Sequence, residues 1–185
     1  MFKQDSIEVL RDCEAALIPT GVKVTLKKGS FVMITQALGN SYTVYVNGNL
    51  ARVAGKDGDA LGMIILAEDD VNDIVGTVED KVWAALKTCF DPEIPVNIVD
   101  LGLVYECQVI NKIENKIENE CHYNVTIKMT LTAPGCGMGP VLVADVEEKL
   151  RRIHGVTDVK VELVFDPPWN RNMMSDVAKL QLGML

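Results

Sequence analysis

The sequence predicts an α+β fold in two parts. A small β-rich N-terminal domain precedes a two-layer α-β-β-α-β domain, which has a three-stranded mixed sheet and a short C-terminal helix. Short apolar runs separated by Gly and Asn turns fill the first third of the chain, whereas helical and alternating periodicities follow one another after residue 76. We therefore expect the domains to span residues 1–72 and 73–185.

Four short runs with strand character make up the N-terminal part, at residues 22–26, 31–37, 42–46 and 50–54. The turns between them contain Gly29, Gly39 and Gly48. Strands of this length and spacing predict a small barrel or sandwich. Cys13 precedes these strands and is a candidate second reactive thiol, but we favour packing in the interior because nothing around it supplies a positive field. The acidic residues 68–70 and the residues up to Gly76 indicate a solvated connector.

The second part alternates between helical and strand patterns. Thr77 is a suitable N-cap for a first helix, which should bury Cys89 and end near Asp91, because Pro92 disfavours helical angles at the residue before it. The pattern then predicts strands at 103–110 and 123–131, a helix reaching Gly155, a strand at 159–165 and a short helix from Ser175 to Leu182. Since a helix connects the second and third strands, they should be parallel.

One cysteine, Cys136, stands at the corner between the second strand and the second helix, within the segment 130–140. Pro140 suits a first helical turn, and the flanking glycines permit backbone angles that side chains forbid; they are Gly135, Gly137 and Gly139. A helix start offers free N–H groups and the positive end of the helix dipole, which stabilise a thiolate. Cys136 is therefore the candidate functional residue, and the alternative is a structural cysteine in a tight turn.

An extended polar loop between the first helix and the first strand contains three carboxylates, Asp91, Glu93 and Asp100. Such a group can serve acid–base catalysis or bind a hard metal ion. It can also cap backbone N–H groups, and we favour this interpretation because free N–H groups lie nearby. Trp169, in a later Pro-Pro-Trp loop, either closes over the site or covers the edge of the sheet.

Composition excludes several classes of protein. The chain has 185 residues, 48% hydrophobic content and a net charge of −8, which argues against unspecific binding to nucleic acid. Its five cysteines are odd in number and form no Cys-x-x-Cys pair, as is typical of a reducing compartment. We see no signal peptide and no apolar run of membrane-spanning length, so we expect a cytoplasmic protein without a membrane partner.

Four ordered motifs resemble the metal-sulfur cluster biosynthetic family, which includes PaaD-type proteins and the N-terminal domain of ApbC/Mrp-type cluster carriers. They are Asp-Pro-Glu-Ile-Pro at 91–95, Asp-Leu-Gly-Leu-Val at 100–104, Met-Thr-Leu-Thr-Ala-Pro-Gly-Cys-Gly at 129–137 and Pro-Pro-Trp at 167–169. The N-terminal segments 18–21, 34–39 and 48–53 resemble an additional domain of some members. The chain departs from the pattern in a polar insert at 111–119 and in Gly58, where we expect alanine.

The resemblance implies an auxiliary, non-enzymatic role in the maturation of iron-sulfur proteins. It implies that Cys136 is the reactive, metal-binding residue, with a supporting loop formed by Asp91, Glu93, Asp100, Thr132, Gly135, Gly137 and Trp169. A stable cluster usually needs about four protein thiolates, so one cysteine implies an iron-sulfur cluster that is bound transiently and shared with another chain. The implied partners are the iron-sulfur assembly machinery and its client proteins, with a second copy of the chain as a further candidate.

Two other functional classes remain open. A non-metal-binding adaptor would recognise client proteins through the carboxylate loop and Trp169. A thiol enzyme would use Cys136 as a nucleophile, although His122 and His154 have no motif context that makes either a convincing general base.

Overall fold

The computed structural model describes residues 6–38, 41–63, 71–112 and 122–184. The fold is α+β, as predicted, and the chain divides into two compact units. The first unit comprises residues 1–68 together with 92–95 and 136–141, and the second comprises 69–91, 96–135 and 142–185. Two short segments of the C-terminal half, around Glu93 and Cys136, thus group with the N-terminal residues. The domain boundary near residue 72 stays a prediction.

The first unit contains one six-stranded antiparallel sheet, rather than the two sheets of a sandwich. The strands are β1 Ile7–Glu8, β2 Cys13–Ile18, β3 Lys23–Leu26, β4 Phe31–Leu38, β5 Ser41–Val46 and β6 Asn49–Ala54. They follow the order β1-β4-β5-β6-β2-β3 in the sheet, and a 3₁₀ helix, Gly55–Leu61, comes directly after β6 in the sequence.

Strands β1 and β2 are the difference from the sequence prediction. β2 reads Cys-Glu-Ala-Ala-Leu-Ile, and its two alanines have low intrinsic strand preference. Pairing with β3 on one side and β6 on the other makes it a strand nevertheless. Its first residue, Cys13, is buried as expected.

The apolar core of this unit combines side chains of the sheet, among them Leu26, Val32, Val44 and Val53, with Val9 after β1 and Leu61 at the end of the 3₁₀ helix. The Asn47-Gly48 turn joins β5 to β6, and both residues have positive φ angles, as this hairpin type requires. A Cβ at Gly58 would lie 2.9 Å from Cε2 of Tyr42, so the Tyr42 ring explains why glycine occupies this position instead of the expected alanine.

The second unit contains the three-stranded mixed sheet that the sequence predicts. The elements are α1 Val78–Leu86, β7 Val104–Lys112, β8 His122–Met129, α2 Gly139–Arg151, β9 Val156–Leu163 and α3 Asp176–Gln181. Strands β7 and β8 are antiparallel, and β8 and β9 are parallel. Thr77 caps α1 in a capping box with Asp80, and Ser175 caps α3.

Periodic apolar residues build the core of this unit. On β8 every second residue is buried, namely Val125, Ile127 and Met129. On α2 the buried stripe recurs at helical spacing, through Leu142, Val146 and Leu150. A sheet with one apolar face and helices with one apolar stripe bury these surfaces as two layers.

Several element ends differ from the prediction: β8 ends at Met129, α2 ends at Arg151, β9 begins at Val156, and two further ends have a local explanation. α1 ends at Leu86, because the Cys89 N–H donates to the Leu86 carbonyl and the Ile98 N–H donates to the Cys89 carbonyl, which turns the chain before Pro92. β9 ends at Leu163, opposite the last residue of β8, so Phe165 lies beyond the sheet and is 47% exposed.

Parts of two predicted features lie outside the described residues, namely the acidic residues 68–70 of the connector and most of the polar insert together with Cys121. None of the described helices is long and apolar enough to cross a membrane.

Candidate functional site

Cys136 lies in the turn between the end of β8 and the start of α2 and is half-buried. The Gly139 N–H donates to the Cys136 carbonyl oxygen at 3.1 Å, so the first residue of the helix is bonded directly to the cysteine backbone. Met138 is fully buried and anchors the same turn. The backbone on the helix side of Cys136 is therefore fixed.

The glycines around Cys136 serve different purposes. Gly135 has a φ angle of +78°, which favours glycine, whereas Gly137 and Gly139 do not have positive φ angles, so the prediction that all three supply special backbone angles is wrong for these two. At Gly137 the reason for glycine is space. A Cβ there would lie 2.1 Å from the carbonyl oxygen of Thr20, and both residues belong to the first unit.

Three other described cysteines are held in environments that disfavour reaction. Burial raises the pKa of Cys107 from its ordinary value of 9.0 to about 11, with a smaller contribution from the negative charge of Glu79. Burial also raises the pKa of Cys13. Cys89 is fully buried, and its thiol donates to the Ala85 carbonyl oxygen at 3.6 Å. Since the thiolate is the reactive form, these environments suit structural thiols.

Asp91 and Thr132 meet in the second unit, although they are 41 residues apart in the sequence. The Thr132 hydroxyl donates to Oδ2 of Asp91 at 3.2 Å, and Asp91 is only 7% exposed. A hydrogen bond of this kind offsets part of the cost of burying the carboxylate. Glu93 is exposed and belongs to the first unit.

Asp100 holds two segments of the second unit together. Its Oδ2 accepts from the Asn97 side-chain amide at 2.6 Å, and its Oδ1 accepts from the Ser175 hydroxyl at 3.0 Å. The Ser175 N–H also donates to the Asp100 carbonyl oxygen at 2.8 Å. The carboxylate thus accepts from side chains, and the favoured prediction that it caps backbone N–H groups is wrong for this residue.

Trp169 belongs to a segment that we call the C-terminal strap, residues 167–175. Its indole Nε1 donates to the Leu101 carbonyl oxygen at 2.8 Å. The Tyr105 hydroxyl, on the edge strand β7, donates to the Pro167 carbonyl oxygen at 2.8 Å. Of the two interpretations left open for Trp169, these bonds favour the one in which it covers the sheet edge.

The sequence did not point to Asn97 or Tyr105, and it identified Ser175 only as a helix cap. The Asn97 side chain both bonds the Asp100 carboxylate and accepts from the Asp100 N–H, a turn that the Asn-x-x-Asp spacing could have signalled. Within the described residues, no three His, Cys, Asp or Glu side chains are grouped so as to hold a metal ion.

Comparison with known proteins identifies the relatives of this chain. A family model described as "Iron-sulfur cluster assembly protein" matches residues 79–163. A Porphyromonas gingivalis protein named "Fe-S protein maturation auxiliary factor" is 43% identical over 114 residues, which are 62% of this chain and 98% of the relative. The Staphylococcus aureus "Fe-S protein maturation auxiliary factor SufT" is 42% identical over 94 residues, 51% of this chain and 96% of the relative.

Among solved structures, a domain of unknown function, DUF59, from Bacillus anthracis is 36% identical. The match covers 58% of this chain and 93% of that chain, with a TM-score of 0.47.

The resemblance carried by the four motifs is confirmed, and SufT, the member with which the motifs and the N-terminal segments together identify the chain, is among the relatives. The aligned part of this chain is at most 62% for the two curated relatives, so the resemblance of the N-terminal segments to an additional domain stays a prediction. Nearly the whole length of each of these relatives aligns at more than 40% identity. The chain belongs to the iron-sulfur cluster assembly protein family.

Proposed function

We propose that this chain is an auxiliary factor in the maturation of iron-sulfur proteins, and that it hands over an iron-sulfur cluster or iron through Cys136. The observation that carries the proposal is the difference among the thiols. Cys13 and Cys107 have raised pKa values and Cys89 is fully buried, whereas Cys136 is half-buried in a fixed turn at the start of a helix. The names of the relatives support the same role.

The cluster is cargo in this proposal. Clusters are bound by cysteine thiolates, and about four are needed for a stable site. A single thiolate fits one position of a shared cluster, whose other ligands come from an assembly protein, a client or a second copy of this chain. Ligands that are few in number are exchanged easily, which suits delivery rather than storage.

The remaining site residues act in two ways. Gly135 has no side chain, and a Cβ there would meet nothing within 4 Å, so another protein can approach the thiol closely from this side of the turn; Gly137 instead leaves room for the Thr20 backbone. Asp91 and Thr132 support each other in the second unit, and Glu93 is exposed to solvent. Asp100 and Trp169 support the loop at 100–105 through the strap and do not act on the cargo.

The proposal includes no catalysed reaction of a small substrate. It places the protein in the cytoplasm, where iron-sulfur clients are assembled under reducing conditions. Its partners are the assembly machinery and client proteins, and its net charge of −8 disfavours nucleic acid as a partner.

The test is complementation of a deletion strain at matched protein levels. Activity of an aconitase-type enzyme is measured under iron limitation with the unaltered chain, Cys136→Ala and Cys107→Ala. Cys107 is the matched control, because it is also half-buried. We expect Cys136→Ala to behave like the deletion and Cys107→Ala to support client activity. Full rescue by Cys136→Ala would refute thiol-dependent transfer and favour the adaptor, which recognises client proteins without binding metal.

A further inference from the structure

Two backbone segments of the first unit meet beside Cys136, although they are more than a hundred residues apart in the sequence. A Cβ at Gly21 would lie 1.9 Å from the carbonyl oxygen of Gly137, and a Cβ at Gly137 would lie 2.1 Å from the carbonyl oxygen of Thr20. Real Cβ atoms do not approach other atoms this closely. The contact is therefore reciprocal, and it requires glycine on both sides.

Each segment is held in place by its own contacts. The Thr20–Gly21 turn joins β2 to β3 and is closed by two backbone hydrogen bonds, from Leu17 N–H to the Val22 carbonyl oxygen at 2.9 Å and from Gly21 N–H to the Leu17 carbonyl oxygen at 2.7 Å. On the other side, Gly137 lies between Cys136 and the fully buried Met138. A methyl group placed between these two backbones must displace one of them.

We propose that the Thr20–Gly21 turn is a positioning element for Cys136. By packing on the Gly137 backbone, it holds the neighbouring thiol in a fixed direction and limits the size of the group that reaches it. This inference deepens the proposed function and rests on it, because it gives the N-terminal residues a task at the transfer cysteine. Gly21 is a positioning residue and does not touch the cargo.

The test compares two alkylating reagents, small iodoacetamide and a bulky maleimide, on the full chain. In each reaction the Cys136 sulfur forms a bond to carbon; iodide leaves in the first case, and the thiol proton is taken up by the maleimide adduct in the second. The ratio of the two rates at Cys136, obtained by mass mapping, reports access, since the thiolate fraction enters both rates alike. We expect Gly21→Ala to raise the bulky-to-small ratio several-fold.

Gly48→Ala is the matched control. Gly21 and Gly48 have φ angles of +71° and +83°, so alanine is strained at both turns of the same sheet, but a Cβ at Gly48 meets nothing within 4 Å. We expect the ratio of this control to equal that of the unaltered chain. An equal rise in both variants would show that turn strain, and not the contact, is responsible, and would overturn the proposal.

Gly137→Ala keeps the test decisive if Gly21→Ala does not fold. It introduces the same clash from the other side at a residue without a positive φ angle, and the ratio should rise again. In the double variant the two effects should be less than additive, because both substitutions open one contact. An unchanged ratio in the folded variants would overturn the proposal, even if Cys136→Ala abolishes client maturation. Conversely, full rescue by Cys136→Ala in the complementation test would refute the proposed function, whereas a raised rate ratio in Gly21→Ala would still support the positioning role of the turn.

Discussion

Replacing Asp100 by alanine should destabilise the second unit without removing any group that handles cargo. The carboxylate accepts two side-chain hydrogen bonds, from Asn97 at 2.6 Å and from Ser175 at 3.0 Å. A hydrogen bond to a charged group contributes about 1.5–3 kcal/mol. Because Asp100 is only half-buried, we take the lower value for each bond and expect a loss of about 3 kcal/mol in the free energy of unfolding.

The assay is urea unfolding followed by circular dichroism and by tryptophan fluorescence. Asp158→Ala is the control, since Asp158 is exposed, and it should change the free energy of unfolding by less than about 0.5 kcal/mol. Ser175→Ala and the double variant complete a cycle. Asp100 and Ser175 share a bond, so we expect the two losses to add to more than the loss of the double variant.

A loss below about 0.5 kcal/mol in Asp100→Ala, together with impaired client maturation, would refute this reasoning. Asp100 would then be a functional residue, as the motif alone suggests, and its bonds to Asn97 and Ser175 would be incidental to stability.

Three further predictions concern the thiols and the strap. With limiting iodoacetamide near neutral pH, Cys136 should be labelled before Cys107. The pKa of Cys107, about 11, makes its thiolate on the order of a hundredfold rarer than at the ordinary value of 9.0. Labelling is measured by mass mapping, and faster labelling of Cys107 would contradict this expectation. Because the pKa of Cys107 is raised in the folded state, the stabilising contribution of this thiol is complete below pH 9.0 and is lost as the pH rises towards 11. Cys107→Ala should therefore flatten the decline of the free energy of unfolding between pH 9.0 and 11. An unchanged slope would count against a raised pKa. Gly102→Ala places a Cβ at a φ angle of +72° and 2.2 Å from the Met173 carbonyl oxygen. The substitution should therefore displace the strap and shift Trp169 fluorescence towards the red. A native spectrum together with native stability would disprove the contact.

Local patterns accounted for most of the fold. Thr77 followed by an acidic residue at the third helical position is a sequence signature of a capping box. The structure contains this capping box, between Thr77 and Asp80. Strict alternation in β8 likewise fixed which residues are buried. The sequence did not predict β2, because Ala15 and Ala16 form a strand only through pairing with β3 and β6.

The hydrogen bonds of the candidate site could not be predicted from local sequence patterns. Motifs selected Asp91 and Thr132, but their hydrogen bond joins positions 41 residues apart. The bond between Asp100 and Ser175 spans 75 residues, and the bond between Trp169 and Leu101 spans 68. Tertiary packing creates such pairs, and no periodicity within a window of the sequence records them.

The C-terminal strap has a consequence for how freely its sequence can vary. The family match ends at residue 163, and the strap begins only at residue 167. Its contacts with Leu101, Gly102 and Tyr105 each use at least one main-chain oxygen, which is present whatever side chain occupies that position. Position 102 should therefore accept only glycine, because any Cβ there would collide with the strap backbone whatever side chain stands at position 173.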